Sequence, residues 1–215
     1  MYFYTINNNL MKEKEKHWEI IYETKKLNEV SWFQKKPLTS LSLIESSEIN
    51  KSSEIIDIGC GKSFLIDNLL EKKYSKISLL DISNIALKEV EKRTNNYENS
   101  GRFYNVDILD FKSNTSFDLW HDRAVFHFLT EKEEIDKYVN ICEKNINKEG
   151  TLIIGTFSEN GPVKCSGLEI SRYSVKNLQS LFCNSFELVE HLNTNHTTPF
   201  ETIQNFNFCK FKKIK

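Results

Sequence analysis

The sequence is poor in glycine, in proline and in long apolar runs. Its 215 residues include seven glycines and three prolines, and 39% of them are hydrophobic. This composition fits one globular domain with a sizeable core and argues against a second full domain. No apolar run approaches the roughly 20 residues of a membrane span, and the amino terminus lacks the apolar core of a signal peptide. We therefore expect a cytoplasmic protein with no membrane partner.

Neither sign of charge dominates the chain. It carries 29 Lys and Arg residues against 30 Asp and Glu residues, for a net charge of −1. Such a balance provides no overall attraction for nucleic acid or for anionic lipid. We expect no nucleic-acid partner.

The cysteines are not arranged for metal binding. Five are present, without a C-x-x-C pair and without a His/Cys cluster at metal-ligand spacing. This predicts reduced thiols and no metal site. Cys142, on an apolar helical face, and Cys209, inside an alternating strand, are expected to be small core residues.

The apolar period switches repeatedly between two and 3.6 residues, which is typical of alternating strands and helices. Helical pattern begins near His17, and a second helix is expected at 37–46. The next predicted strands, separated by helical segments, are EIIDIG, KISLLDIS, GRFYNVDIL, FDLWHDRAV and GTLIIGTF. Such alternation implies a mainly parallel sheet covered by helices on both faces.

The last third of the chain has a different pattern. SVKNLQSLF reads as a helix, and the strand-like runs FELVEHLNTN and TIQNFNFCKFKK are joined by the short connection HTTPFE. That connection favours an antiparallel hairpin, because a parallel crossover needs a dozen or more residues. The expected fold class is α/β, a doubly wound, seven-stranded, mainly parallel sheet with a C-terminal antiparallel hairpin.

Two of the seven glycines fall in IIDIGCGKS, residues 55–63, where a predicted strand runs into a turn. In a doubly wound sheet this turn brings bare backbone close to a ligand at the carboxyl ends of the strands. Asp81 follows about twenty residues later, at the end of the second strand, where a carboxylate can accept from both hydroxyls of a ribose. The pattern predicts a nucleoside ligand.

Two phosphate-binding motifs fit this stretch poorly. A dinucleotide fingerprint, G-x-G-x-x-G, needs a glycine at the position of Phe64, and a P-loop needs one at the position of Ile56. Neither reading is favoured.

Five motifs in order resemble the class I S-adenosylmethionine-dependent methyltransferase superfamily, over roughly residues 17–213. IIDIGCGKS resembles its first cofactor loop, LLDIS the segment with the ribose carboxylate, and NVDILDF the segment that cradles adenine. FDLWHDRAVFHFL resembles the segment after strand four, and INKEGTLIIGTF the strand-five signature. One departure is Ser63, where many members carry a third glycine. The resemblance implies a Rossmann-like methyltransferase fold, S-adenosylmethionine as cofactor and S-adenosylhomocysteine as product.

The resemblance also implies which residues bind the cofactor. Gly59 and Gly61 would let the backbone approach its amino-acid part, Asp81 would bind the ribose, and Asp107 would accept from the adenine amino group. His121 would lie near the methionine end. The expected set is Trp18, Tyr22, Trp32, Asp57, Gly59, Cys60, Gly61, Asp81, Ile82, Asp107, Ile108 and His121.

Aromatic side chains before the sheet suit a cationic sulfonium. Trp18 and Tyr22 share a helix face, and Trp32 and Phe33 are adjacent and cannot both face one core. In similar enzymes this region is a lid, although plain core packing stays open. The expected organisation is a disordered extension at residues 1–16 and a single domain at 17–215, divided into a helical lid at 17–50, a cofactor-binding half at 51–157, and a substrate loop, helix and hairpin at 158–215.

The candidates for catalysis are polar side chains beyond the predicted strand ends. A base or a local positive field would help an amine or a thiol lose its proton. Arg123 follows strand four, and His127 stands between two phenylalanines, which also fits a packing role. The candidate catalytic residues are His121, Asp122, His127, Arg172 and His196.

Three classes of function stay open. The first is a methyltransferase for a small-molecule acceptor, with a thiol or another sulfur or chalcogen favoured because WHDRAVFHF is distantly similar to thiopurine-type enzymes. The second is a protein-lysine N-methyltransferase, to which EVSWFQ has some likeness. The third is a non-catalytic cofactor-binding module. Methylation of nucleic acid ranks lower, since no N-P-P-Y type tetrapeptide and no basic stripe is present.

Overall fold

The computed structural model describes residues 2–97 and 101–215, with side chains from residue 12 onward. The α-helices are α1 (Tyr2–Thr24), α2 (Leu38–Glu45), α3 (Leu65–Glu71), α4 (Asn84–Thr94), α5 (Lys132–Asn145) and α6 (Val175–Phe182). The strands are β1 (Glu54–Ile58), β2 (Lys76–Asp81), β3 (Arg102–Asn105), β4 (Phe117–Arg123), β5 (Ile146–Phe157), β6 (Lys164–Cys165), β7 (Leu168–Glu169), β8 (Phe186–Thr197) and β9 (Ile203–Lys213). Short 3-10 helices occupy Leu27–Glu29, Ile108–Asp110 and Phe126–Phe128.

The central sheet has seven strands in the order β3-β2-β1-β4-β5-β9-β8. Strands β1 to β5 run parallel, and β9 is antiparallel to both β5 and β8. The chain builds outward from β1 through β2 on one side and resumes with β4 on the other. The switch point therefore lies between β1 and β4 at their carboxyl ends, where ligands of such sheets bind. The expected doubly wound sheet with its C-terminal hairpin is confirmed.

Helices cover both faces of this sheet. On β1, Ile55 packs into the core beneath α2, α3 and α4, whereas Ile56 packs into the core beneath α5 and α6. Neither side chain is exposed, because a central parallel strand is covered on both sides. Cys142 and Cys209 are also fully buried, as expected of core residues.

The amino terminus differs from the expectation. Helix α1 begins at Tyr2 rather than near His17, whereas the domain boundary expected after residue 16 stays a prediction. Lysine and glutamate, which are frequent before His17, are good helix formers. The helix also reaches the body of the domain, since Lys14 pairs with Glu134 of α5 at 2.8 Å. The division of 17–215 into lid, cofactor half and substrate part stays a prediction.

The loop after β5 contains a feature that the apolar period did not indicate. Its strands β6 and β7 form a separate antiparallel hairpin, with Cys165 paired to Leu168. Two-residue strands are too short to show a period of two, so no sequence pattern predicts them. Within the described ranges, no helix has the length and apolarity needed to cross a membrane.

A buried hydrogen-bond network anchors the turn after β4. The Trp120 indole N–H donates to the Tyr138 hydroxyl over 3.1 Å, and this hydroxyl donates to Asp122 over 2.6 Å. The Asp122 carboxylate also accepts from the backbone N–H groups of Val125 and Phe126. Burial raises the pKa of Asp122 to about 6. The network fixes the backbone that leaves β4 toward the site.

Removing the Tyr138 hydroxyl tests this network. Tyr138→Phe leaves the Trp120 N–H buried without a partner and removes the shortest hydrogen bond to Asp122, so we expect the free energy of unfolding to fall by about 2–4 kcal/mol. Urea denaturation at pH 7 measures the change. Tyr97→Phe alters a tyrosine that is 37% exposed, and it should cost less than about 0.5 kcal/mol. Equal stability of the two variants would contradict the proposed anchoring.

Candidate active site

The turn after β1 is built around two glycines in the left-handed region, Gly59 at φ +59° and Gly61 at φ +51°. A Cβ added at Gly59 would lie 2.0 Å from a methyl carbon of Val125. A Cβ added at Gly61 would lie 2.3 Å from the hydroxyl oxygen of Tyr22. Both conformation and space therefore require glycine, and the turn is held between α1 and the segment after β4.

Asp81, at the end of β2, connects this turn to its own loop. Its Oδ2 accepts from the Gly61 N–H over 2.7 Å, and its Oδ1 accepts from the Ser83 N–H over 2.8 Å. The carboxylate is 4% exposed, and burial raises its pKa to about 6 against the lowering effect of the two hydrogen bonds. The residue expected to bind ribose is thus also an organiser of the cofactor loop.

A cavity of about 300 Å³ lies above the carboxyl ends of β1, β2 and β4. Its walls come from α1, from the loops after β1, β2, β3 and β4, and from the β6–β7 hairpin. Among the expected cofactor-binding residues, those in the lining are Trp18, Tyr22, Trp32, Gly59, Asp81, Ile82, Asp107 and Ile108.

Asp107 makes a capping contact and also lines the large cavity. Its Oδ1 accepts from the Leu109 N–H over 2.8 Å and so caps the short helix that follows β3. It also lines the large cavity next to Ile108. Burial raises its pKa.

A smaller cavity of about 60 Å³ adjoins the first and shares Tyr22, Trp32, Gly59 and Arg123 with it. Asp57, Cys60 and His121, three further residues expected at the cofactor, line this smaller cavity. Gly61 lies behind the Tyr22 hydroxyl.

His121 is held by partners at both ring nitrogens. Its Nδ1 lies 2.7 Å from the Asp57 carboxylate, and its Nε2 lies 2.9 Å from the Ser40 hydroxyl of α2. A carboxylate only accepts, so Nδ1 carries the proton and Nε2 accepts from Ser40. All three side chains are at most 4% exposed. This network ties β1, β4 and α2 together beneath the site.

Asp122 and Arg172, two further catalytic candidates, lie outside both cavity linings. Asp122 points to the opposite face of the sheet, where Tyr138 and two backbone N–H groups satisfy it. Arg172 is exposed, and its guanidinium donates to the carbonyl of Glu159 over 2.6 Å. Neighbouring residues of a strand face opposite sides of the sheet, so Asp122 faces away from the side that His121 and Arg123 share.

The two remaining candidates are histidines near the loop after β5. His196 lies 2.7 Å from the Ser31 carbonyl through Nε2, which donates, and burial lowers its pKa. His127 is fully buried against Phe157, and burial lowers its pKa to about 3. The five candidates are therefore not brought together, and none lines the large cavity.

Arg123, the last residue of β4, is the charged group that the structure places between the two cavities. Its Nη1 donates to the Trp32 carbonyl over 3.1 Å, and its guanidinium carbon lies 5.1 Å from the centre of the Phe206 ring. Burial lowers its pKa to about 10, so it stays cationic at neutral pH. The sequence marked it as polar and close to the site, but only the register of β4 shows that it faces the cavities.

Four aromatic rings cover the large cavity. Trp18 packs edge-on against Trp32 at 5.8 Å and against Phe128 at 5.3 Å, and tilted against Tyr22 at 6.0 Å. Phe128 was not among the expected site residues. No local signal distinguishes it from a core phenylalanine.

Polar contacts hold α1 over the site. Glu19 accepts from the Asn84 N–H over 2.6 Å at the start of α4, where a negative charge favours the helix amino terminus. Lys62, in the glycine turn, donates to the Tyr22 carbonyl over 2.7 Å. The aromatic cover is thus fastened to two of the loops that line the cavity.

The sheet order, the glycine turn at the switch point and the carboxylate after β2 define a Rossmann-like methyltransferase. Residues 49–209 match the methyltransferase-domain family, which is most of the chain, and the protein belongs to that family. The expected class of enzyme, an S-adenosylmethionine-dependent methyltransferase of class I, is confirmed, and S-adenosylmethionine is the cofactor of this class.

Several known proteins are similar to this chain. The malonyl-[acyl-carrier protein] O-methyltransferase of Acetivibrio thermocellus is 24% identical over 184 residues, which are 80% of this chain and 61% of that protein. The chain therefore spans about three fifths of that relative's length.

Two solved structures have the same fold. One comes from work on the conversion of a disulfide bond into a thioacetal group during echinomycin biosynthesis. It has a TM-score of 0.75 at 15% identity, and the match covers 93% of this chain and 93% of that chain. The 1,6-didemethyltoxoflavin-N1-methyltransferase of Burkholderia thailandensis, with 1,6-didemethyltoxoflavin and S-adenosylhomocysteine bound, has a TM-score of 0.72 at 12% identity. It covers 99% of this chain and 90% of that chain.

The aromatic cover makes a prediction about Trp32. Trp32→Ala removes a ring that lines both cavities, so we expect S-adenosylhomocysteine to bind about tenfold more weakly while the unfolding free energy changes little. Calorimetry and melting measure the two effects. Ile20→Ala, on α1 but 47% exposed, is the control and should alter neither. A large loss of melting temperature with unchanged affinity would assign Trp32 to the core.

Asp81 makes cofactor affinity depend on pH. Its raised pKa means that it takes up a proton as the pH falls through about 6, and ribose hydroxyls donate better to the charged carboxylate. Affinity for S-adenosylhomocysteine should therefore be constant above that pH and fall below it, by at most about tenfold per pH unit. In Asp81→Asn the affinity should be lower by about 1.5–3 kcal/mol at pH 7.5 and independent of pH. A flat profile in the unchanged protein would place Asp81 outside the ribose site.

Proposed function

We propose that this protein transfers the methyl group of S-adenosylmethionine to a nucleophile on a small molecule, and that this nucleophile is a sulfur. The observation that carries the proposal is the large cavity at the switch point, with the buried Asp81 and the half-buried Asp107 at one end and an aromatic cover with Arg123 at the other.

The adenosine end is supported by the loops after β2 and β3. Asp81 lies where a carboxylate reaches ribose hydroxyls, and Ile82 and Ile108 offer apolar surface on either side of an adenine. The methionine part would extend over Gly59 toward the smaller cavity, where the backbone lacks a Cβ.

The small size of the acceptor is supported by the cover. Trp18, Trp32 and Phe128 pack against one another over the cavity, and the β6–β7 hairpin contributes Cys165 and Leu168 to the same lining. A protein-lysine enzyme would need an open acidic groove for a peptide. The aromatic rings and the hairpin that narrow the cavity favour a compact acceptor instead.

A sulfur acceptor is supported by the charges around the cavity. In the lining that the structure describes, the carboxylates are Asp81 and Asp107 at the adenosine end and Glu169, which pairs with Lys164 at 2.7 Å on the exposed hairpin. An amine, protonated at neutral pH, would need a free base. A thiol needs only a local positive field to ionise, and the sulfonium of the methyl donor and Arg123 both contribute to one.

The reaction is an in-line displacement. A thiolate attacks the methyl carbon, the bond from that carbon to the sulfonium breaks, and the bonding pair stays on the sulfur of S-adenosylhomocysteine. The thiol proton passes to solvent before the attack. Walls that hold the nucleophile at attack distance supply much of the rate.

Release of S-adenosylhomocysteine from S-adenosylmethionine tests the proposal against panels of small thiols, amines, carboxylates and lysine-containing peptides. We expect turnover with thiols, reduced at least about tenfold in Asp81→Ala at sub-saturating cofactor. Turnover of peptides without thiols would identify a protein-lysine enzyme. Tight cofactor binding without turnover of any panel would identify a non-catalytic module.

A further inference from the structure

Arg123 carries a buried nitrogen without a hydrogen-bond partner. Its Nη1 donates to the Trp32 carbonyl, but its Nη2 finds no acceptor among the residues that the structure describes and is closed off from solvent. The side chain lines both cavities. Nη2 therefore has two N–H groups without an acceptor, on a side chain that lines both cavities.

Arg123 also has no ion-pair partner in the described part of the chain, although the more distant Asp57 carboxylate opposes the lowering of its pKa by burial. Over residues 12–97 and 101–215, no carboxylate oxygen lies within 4.0 Å of its guanidinium, although other buried or half-buried cations such as Arg93 and Lys210 are ion-paired. A buried cation without a counter-charge is costly. A ligand anion would supply both the counter-charge and the hydrogen-bond acceptor that Arg123 lacks.

The surroundings of Arg123 suit an anion as well. The imidazole of His127, whose two nitrogens also lack partners in the described chain, is buried next to it. The Phe206 ring and the neutral thiol of Cys165 complete this side. The carboxylate that acts on Arg123 from a distance, Asp57, is itself bound to His121.

The position favours the acceptor over the cofactor. Arg123 pairs with Gly155 of β5 and packs on Phe206 of β9, on the side of the site away from β2 and β3. Asp81 and Asp107, the residues proposed for the adenosine, lie at the opposite end of the cavity.

We infer that Arg123 binds a carboxylate carried by the methyl acceptor, so that the natural substrate is an acidic thiol. A carboxylate is planar, and its two oxygens match the fork of a guanidinium. This inference rests on the proposed function, because it assigns the acceptor to the same cavity.

The test uses two pairs of probes that differ only in charge: 3-mercaptopropionate with 3-mercaptopropionamide, and thiosalicylate with thiosalicylamide. Calorimetry measures their binding to the protein saturated with S-adenosylhomocysteine, and product release measures their methylation. In the unchanged protein at least one acid should bind about tenfold or more tightly than its amide, the scale of a charged hydrogen bond.

Variants then assign the preference to Arg123. Arg123→Gln should abolish the acid preference while S-adenosylhomocysteine affinity stays within about twofold, and Arg123→Lys should retain part of it. Arg102→Gln, at the amino-terminal end of β3 beside Ser78, is the matched control and should keep the preference. If Arg123→Gln does not fold, the Arg123→Lys variant and the acid–amide affinity ratio of the unchanged protein still test whether Arg123 binds the carboxylate.

Several results would overturn the inference. One is that acid and amide bind alike, or that neither binds at millimolar concentration. Another is that Arg123→Gln strongly weakens the binding of S-adenosylhomocysteine and leaves the ratio of acid to amide affinity unchanged. Arg123 would then bind the cofactor's own carboxylate. Methylation of thiols without preference for acids would leave the proposed function standing, whereas absence of cofactor binding would remove both.

Discussion

The hydrogen bond from the Gly61 N–H to the Asp81 carboxylate, 2.7 Å long, is the contact on which the site depends. It sets the distance between the turn after β1 and the loop after β2, and these two loops form one side of the cavity. The same carboxylate accepts from Ser83, so its orientation is fixed without the ligand. A site prearranged in this way loses less conformational entropy when a nucleoside binds.

The aromatic cover follows from the same turn. Because Gly61 lacks a Cβ, the Tyr22 hydroxyl sits directly on the backbone, and α1 can lie close enough to bring Trp18 over the cavity. Glu19 at the start of α4 and Lys62 on the Tyr22 carbonyl then fasten the helix. Closure over a site excludes water and strengthens the electrostatic interactions inside it.

The charges divide the site into two ends. Asp81, at the end of β2, and Asp107, after β3, accept backbone N–H groups, and we propose that they also accept from the ribose and from the adenine amino group. Arg123 stands at the other end, between the cavities and the core of β5 and β9. His121 is occupied by Asp57 and Ser40, so it orients strands and is not a free base. A cation without a nearby base suits nucleophiles that are readily ionised.

Local pattern was enough to predict the order of strands and helices and the C-terminal hairpin, and the resemblance of five motifs to class I methyltransferases implied the cofactor. Those features depend on apolar periods, on glycines at a turn and on the short HTTPFE connection, all of which are local in the chain. The disposition of the polar residues at the end of β4 was not local: alternation sends His121 and Arg123 to one face and Asp122 to the other, and the register against β1 and β5 decides what each one meets. Contacts between distant segments were needed to recognise the roles of Ser40, of Phe128 and of the unpartnered nitrogen of Arg123. The sequence by itself therefore determined the fold and the class of cofactor. The tertiary structure alone decided which side chains share the cavity, because pairing and packing, and not spacing along the chain, set the neighbours of a side chain across a sheet.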